Sequence, residues 1–229
     1  MHTMLRTPTP NLAESVDFYR RLGFTVLRQG ETVRVSDRSV IIEIDPHRST
    51  RAGVCLAAPD WEPVARELAG LTQVHRTETG YLAADPSNVW LYLVTREADF
   101  DTPPNTIAPS ALGNCAGLSL ETTDIARSVR FWQTLGFAQR DGSADNGFVA
   151  LQHPDGLVVN CMAPLTCPHL FFNPSLTYFN GSANAAVIEA IRQLAIPITE
   201  EITVFNDAGV VDNIIVRDPG GFGFFVFND

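Results

Sequence analysis

The sequence predicts an α+β fold built from four βαβββ modules, two in each half of the chain. Three observations predict it. Residues 11–24, NLAESVDFYRRLGF, return 113 residues later as DIARSVRFWQTLGF, with seven of the fourteen positions identical. Each copy sits between one short β-rich stretch and three more. A second, more diverged strand–helix–strands run then follows in each half, and the two end on matching turns, Asp85-Pro86-Ser87-Asn88 and Asp218-Pro219-Gly220-Gly221. An ungapped match this dense marks a duplicated unit.

Module one opens with a strand over residues 3–7. Asn11 then supplies a side-chain oxygen for the free N–H groups of a helix start. Leu12, Val16, Tyr19 and Leu22 fall at helical spacing on one stripe, and Gly23 ends the helix where positive φ is needed. Strands follow over 24–28, 32–35 and 40–44. Module two repeats the order: strand 53–57, a helix over 60–71 capped by Asp60, then strands 72–77, 80–84 and 89–95. Module three has a strand at 117–122, a helix capped by Asp124 and ended by Gly136, and strands 137–140, 147–152 and 157–162. The last two are joined by the turn His153-Pro154-Asp155-Gly156. Module four has a strand at 176–179, a helix at 184–194, and strands 199–204, 211–217 and 223–227. Between the halves, residues 97–114 are rich in Pro, Asp, Asn and Thr and read as a linker.

The 229 residues are 45% hydrophobic and 18% charged, enough apolar side chain for a core. The formal charge is −10, from 26 acidic residues and 16 basic ones, and every basic residue is Arg. Such a balance disfavours a nucleic-acid or anionic-membrane partner and suits a cationic ligand. No apolar run nears the ~18 residues of a membrane span, and residues 1–6 lack a signal peptide's features. The expected location is cytoplasmic. Cys55, Cys115, Cys161 and Cys167 form no CxxC pair and are expected reduced. No GxSxG elbow, Walker loop or dinucleotide fingerprint occurs.

The string SVDFYRRLGF behind a strand, followed by three strands and a DPxG turn, resembles the vicinal oxygen chelate superfamily of glyoxalases, bleomycin-resistance proteins and extradiol dioxygenases. The resemblance implies two glyoxalase-like domains with curved mixed sheets, over residues 1–96 and 115–229. In metal-dependent members, ligands lie on the first and last strands of paired modules. Those positions here are Met4, Gly53, Gly117 and Leu176 on first strands, and Glu43, Tyr92, Asn160 and Phe225 on last strands. Only Glu43 among them is a good hard-metal ligand. A rival alignment starts from His2-Thr3-Met4-Leu5-Arg6, which resembles the start of bacterial glyoxalase I. It makes His2 a second ligand beside Glu43, because a two-residue slip keeps strand parity.

By the same parity, the residues facing into the curved sheets are Met4, Arg6, Glu43, Trp90 and Tyr92 in the first half. In the second they are Ser119, Glu121, Asn160, Tyr178 and Phe225. Aromatics with a few polar anchors are the usual lining of a small-molecule pocket. Cys161, Cys167 and His169 are close in sequence but match no zinc spacing. The loop over 164–174 carries Leu170, Phe171 and Phe172, which either cap a pocket or pack on the core.

Two functions follow. One is a bleomycin-resistance-like protein that holds a small aromatic or cationic molecule without a metal or other cofactor. The other is a metal-dependent lyase, isomerase or dioxygenase, with Glu43 and His2 on a divalent ion and Glu121 as a candidate base. In either case the duplication allows a monomeric pseudo-dimer, and a homodimer stays open.

Overall fold

A computed structural model describes residues 2–96 and 106–228, with the side chain of His2 left out of the description. Module one consists of β1 (His2–Pro8), α1 (Leu12–Arg21), β2 (Thr25–Gln29), β3 (Val33–Ser36) and β4 (Ile41–Asp45). Module two consists of β5 (Gly53–Ala58), α2 (Glu62–Leu68), β6 (Val74–Thr77), β7 (Gly80–Ala84) and β8 (Trp90–Thr95). Module three comprises β9 (Cys115–Glu121), α3 (Ile125–Thr134), β10 (Ala138–Ser143), β11 (Phe148–Gln152) and β12 (Val158–Met162). Module four comprises β13 (Ser175–Phe179), α4 (Asn184–Gln193), β14 (Ile198–Ile202), β15 (Asn213–Arg217) and β16 (Gly223–Phe227).

The repeated helices end as their sequences dictate. Asn11 Oδ1 accepts from the Glu14 N–H, and Asp124 Oδ1 from the Arg127 N–H. Gly23 and Gly136 take φ of +88° and +89°, which a Cβ would disfavour. On α2 the capping residue is Trp61, and Asp60 serves from one position earlier by accepting from the Glu62 N–H.

Each half builds one eight-stranded mixed sheet. The orders are β2-β3-β4-β1-β5-β8-β7-β6 and β10-β11-β12-β9-β13-β16-β15-β14. The first strands of paired modules meet antiparallel at the centre, β1 with β5 and β9 with β13. Each first strand also runs parallel to the last strand of its own module. One face of both sheets and the buried stripes of all four helices join a single hydrophobic cluster. Rings cross between the halves within it: Phe18 and Tyr19 of α1 each lie 6.1 Å from Phe224 of β16. The opposite face of each sheet forms a cup, with its own small apolar cluster at the bottom.

Of the expected linker, residues 97–105 lie outside the described residues. The rest is packed: Ile107 and Leu112 are buried, Ser110 donates to Asp37, and the Ala111 N–H donates to Leu22 O. No helix among the described residues is long and apolar enough to cross a membrane.

Candidate functional site: the arginine-lined first cup

Strand order creates the site. In β3-β4-β1, Glu43 of β4 stands directly opposite Arg34 on one neighbour and Arg6 on the other. Opposed side chains on adjacent strands are in contact range. Arg6 donates from Nε (2.9 Å) and Nη2 (2.5 Å) to Glu43 Oε2, while Arg34 Nε donates to Oε1 at 3.1 Å. Both carboxylate oxygens are therefore engaged, in a residue only 4% exposed. Asp45 lies at the edge of the same group, 3.9 Å from Arg6 Nε, and accepts the His47 N–H. Burial opposes the Arg6 charge, but Cys55, Glu43 and Asp45 outweigh it and raise its pKa.

Aromatic residues complete the cup. The register puts Met4 beside Cys55 and Cys55 beside Tyr92. The Arg6 guanidinium sits over the Tyr92 ring, 4.3 Å from its centroid, and the Trp90 ring leans toward Tyr92 at 6.1 Å. Tyr92 Oη ties the β4–β5 loop down through the Arg51 N–H (3.0 Å) and carbonyl (2.9 Å). A cavity of about 540 Å³ opens here, lined by all five first-half candidates, Met4, Arg6, Glu43, Trp90 and Tyr92. Sequence reasoning missed Arg34, Asp45, Cys55 and Arg96, which also line it. Arg34 was findable, since the β3–β4 hairpin register sets it against Glu43. Cys55 shares the parity of Gly53.

The second cup differs because the chain fills its module-four side. Phe171 packs on Phe225 at 5.1 Å, and the His169 ring sits 5.3 Å from Phe225 and 5.0 Å from Phe227. The 164–174 loop thus plugs the module-four side, with Phe171 and Phe172 turned in and Leu170 outward. Glu121, the candidate base, accepts the Leu165 N–H at 3.1 Å and anchors that loop. Ser119 bonds Thr177 (2.6 Å), and Asn160 lines a second cavity of about 560 Å³ on the module-three side.

Tyr178 corrects the parity assigned to β13, while Phe225 of the same module does face the cup. It lies in the core, fully buried, and donates to Asp37 Oδ2 of the other half at 2.7 Å. Thr177, paired with Phe225 and Gly117, is the residue that faces the cup. A one-residue slip turns every side chain of a strand to the other face. Cys161 is also in the core, whereas Cys167 lies 4.0 Å from Met162 Sδ, so Cys161, Cys167 and His169 do not converge.

The order of strands, with each module closing on its own first strand and modules joining through those first strands, decides the fold. The chain has the vicinal oxygen chelate fold. No protein-family model and no curated protein sequence matches it, but many solved structures do. BphC, a halotolerant catechol dioxygenase, aligns over 97% of this chain and 84% of its own, at 17% identity and a TM-score of 0.52. The 2,3-dioxygenase LapB from Pseudomonas aligns over 98% and 89%, at 16% identity and 0.55. The 2,2',3-trihydroxybiphenyl 1,2-dioxygenase from Sphingomonas wittichii aligns over 100% and 91%, at 15% identity and 0.51. Likeness at this identity concerns fold, and chemistry is read from the site.

A divalent metal, which this vicinal oxygen chelate fold implies in some members, does not fit the described side chains; that of His2, the second ligand of the rival alignment, lies outside them. Glu43 is held by two guanidiniums, and its neighbours across the cup are Met4, Cys55 and Tyr92. In the second cup the corresponding faces carry Gly117, Thr177, Asn160 and Phe225. Among the described residues, no group of three His, Cys, Asp or Glu side chains comes together to hold an ion.

Proposed function

We propose that this vicinal oxygen chelate protein binds a small organic molecule in its first cup, through side chains rather than a metal. The observation that carries the reading is Glu43: the one hard-metal ligand the sequence offers at the family's positions is engaged on both oxygens by Arg6 and Arg34. A cavity of about 540 Å³ falls within the usual range for ligand pockets, and Trp90 and Tyr92 supply flat apolar surface beside polar anchors. The expectation of a cationic ligand gives way, because the acidic balance of the chain does not extend to this cup. Its described lining carries Arg6, Arg34 and Arg96 against Glu43 and Asp45.

A metal-dependent dioxygenase, lyase or isomerase is the second reading. What favours it is that the three structural relatives above are named as dioxygenases. Elemental analysis separates the two. Protein purified without chelator and reconstituted with Mn, Fe, Ni or Zn should hold far less than one ion per chain. It should also gain thermal stability from small aromatic ligands in a way that Trp90→Ala abolishes. One tightly held ion per chain with ring-opening activity on a catechol would overturn the first reading.

A further inference from the structure

We infer that the ligand of the first cup is a planar organic anion, an aromatic carboxylate of one or two rings, and that Arg6 is its anchor. The inference rests on the binding reading above and adds the ligand's charge and shape.

Arg6 is a fixed cation at the floor of the cup. Glu43 holds its Nε and Nη2 edge, and the Tyr92 ring lies under its face. Nη1 takes no hydrogen-bond partner among the described residues, and the side chain keeps 19% of its surface exposed. A guanidinium clamped on one edge and one face presents its remaining N–H groups in fixed geometry, ready to donate to a carboxylate. A cationic ligand meets the reverse situation: Glu43 has both oxygens on arginines, and Asp45 accepts the His47 N–H on Oδ1 and holds Oδ2 3.9 Å from Arg6 Nε.

The surroundings set the shape. Trp90 and Tyr92 stand side by side along β8, two residues apart on one face. Met4 and Cys55 lay an apolar floor beside them. A flat ring against these surfaces puts an attached carboxylate at the Arg6 edge.

Isothermal titration with three probes of one shape tests this: 2-naphthoate, 2-naphthamide and 2-naphthylmethylammonium. The wild type should prefer the carboxylate over the amide by about tenfold or more, and should bind the ammonium weakest. Arg6→Met should weaken 2-naphthoate by roughly tenfold to a hundredfold and leave 2-naphthamide unchanged. Glu43 retains Arg34 at 3.1 Å in that variant, so its carboxylate is not left alone. Arg6→Lys, which keeps the charge and loses the fork, should fall between the two. If the amide or the ammonium binds as well as the carboxylate, at a site lost in Trp90→Ala, the pocket stands and the anion inference falls. Undiminished 2-naphthoate binding in folded Arg6→Met or Arg6→Lys also sinks it. If none of the three probes binds, both readings fall together.

Discussion

Tyr19 Oη donates to Asp218 Oδ2 at 3.0 Å, and the bond joins the first helix of one half to the last turn of the other. Its duplicate partner does the same in reverse: Trp132 Nε1 donates to Asp85 Oδ2 at 3.2 Å. The repeat read from the sequence is thus also a reciprocal pair of buried bonds across the interface. Tyr19→Phe removes one donor while Asp218 keeps Thr7 Oγ1 at 2.8 Å and the Phe222 N–H at 2.7 Å. The expected loss is about 1–2 kcal/mol of unfolding free energy, read from the denaturant midpoint.

Two aspartates, buried Asp218 and surface Asp155, should show opposite pH signatures. Burial raises the Asp218 pKa above its ordinary 3.8, despite the donors around it. Its folded state therefore favours the proton, and its stabilising contribution is lost as pH rises through the folded pKa. For Asp155, burial pushes upward, but His153 and the Thr3 N–H outweigh it and the pKa is lowered. That contribution is present above the ordinary value and lost as pH falls through the folded pKa. Unfolding curves from pH 3 to 7 should show Asp155→Asn closing on wild type toward acid, and Asp218→Asn closing on it toward neutrality.

Thiol reactivity should single out Cys167. Burial pushes the Cys55, Cys115 and Cys161 thiols up to about 12, leaving almost no thiolate at pH 8. Cys167 is raised too, by burial and by Glu121, but it is only partly covered. Ellman's reagent on the native protein should label one thiol ahead of the rest. Cys167→Ser should remove that phase, and four thiols should react in the unfolded wild type. Rapid native labelling of Cys55 would contradict the packing of the first cup.

Filling of the module-four side of the second cup should matter for stability and not for first-cup binding. Phe225 is 2% exposed and touches His169, Phe171 and Phe227. Phe225→Ala should cost about 3–5 kcal/mol by leaving a hole among these rings. The affinity of any first-cup ligand should stay within twofold of wild type at a temperature where the variant is folded. A large loss of affinity would mean that the two cups are coupled.

Much of the first cup was legible because α1 anchors it. The helix is bounded by Asn11 and Gly23, so β1 and β4 can be counted outward from it, and Met4, Arg6 and Glu43 come out on the right face. Module four offers no such anchor. The 164–174 loop has no period, and counting back from α4 lands on Leu176, one residue off the cup face, although polar Ser175 and Thr177 alternate with core Leu176 and Tyr178 along β13. Tyr178 was misplaced for that reason.

The sequence by itself determined the duplication, the four modules and the helix ends, because each is a local property of spacing and residue type. Only the tertiary structure decided that Glu43 belongs to two arginines, that the module-four side of the second cup is plugged by its own aromatics while the module-three side stays open, and that Tyr178 is a core residue. Those outcomes depend on which strands lie side by side, and that order is set by burying two sheets and four helices in one core, which no stretch of sequence encodes alone.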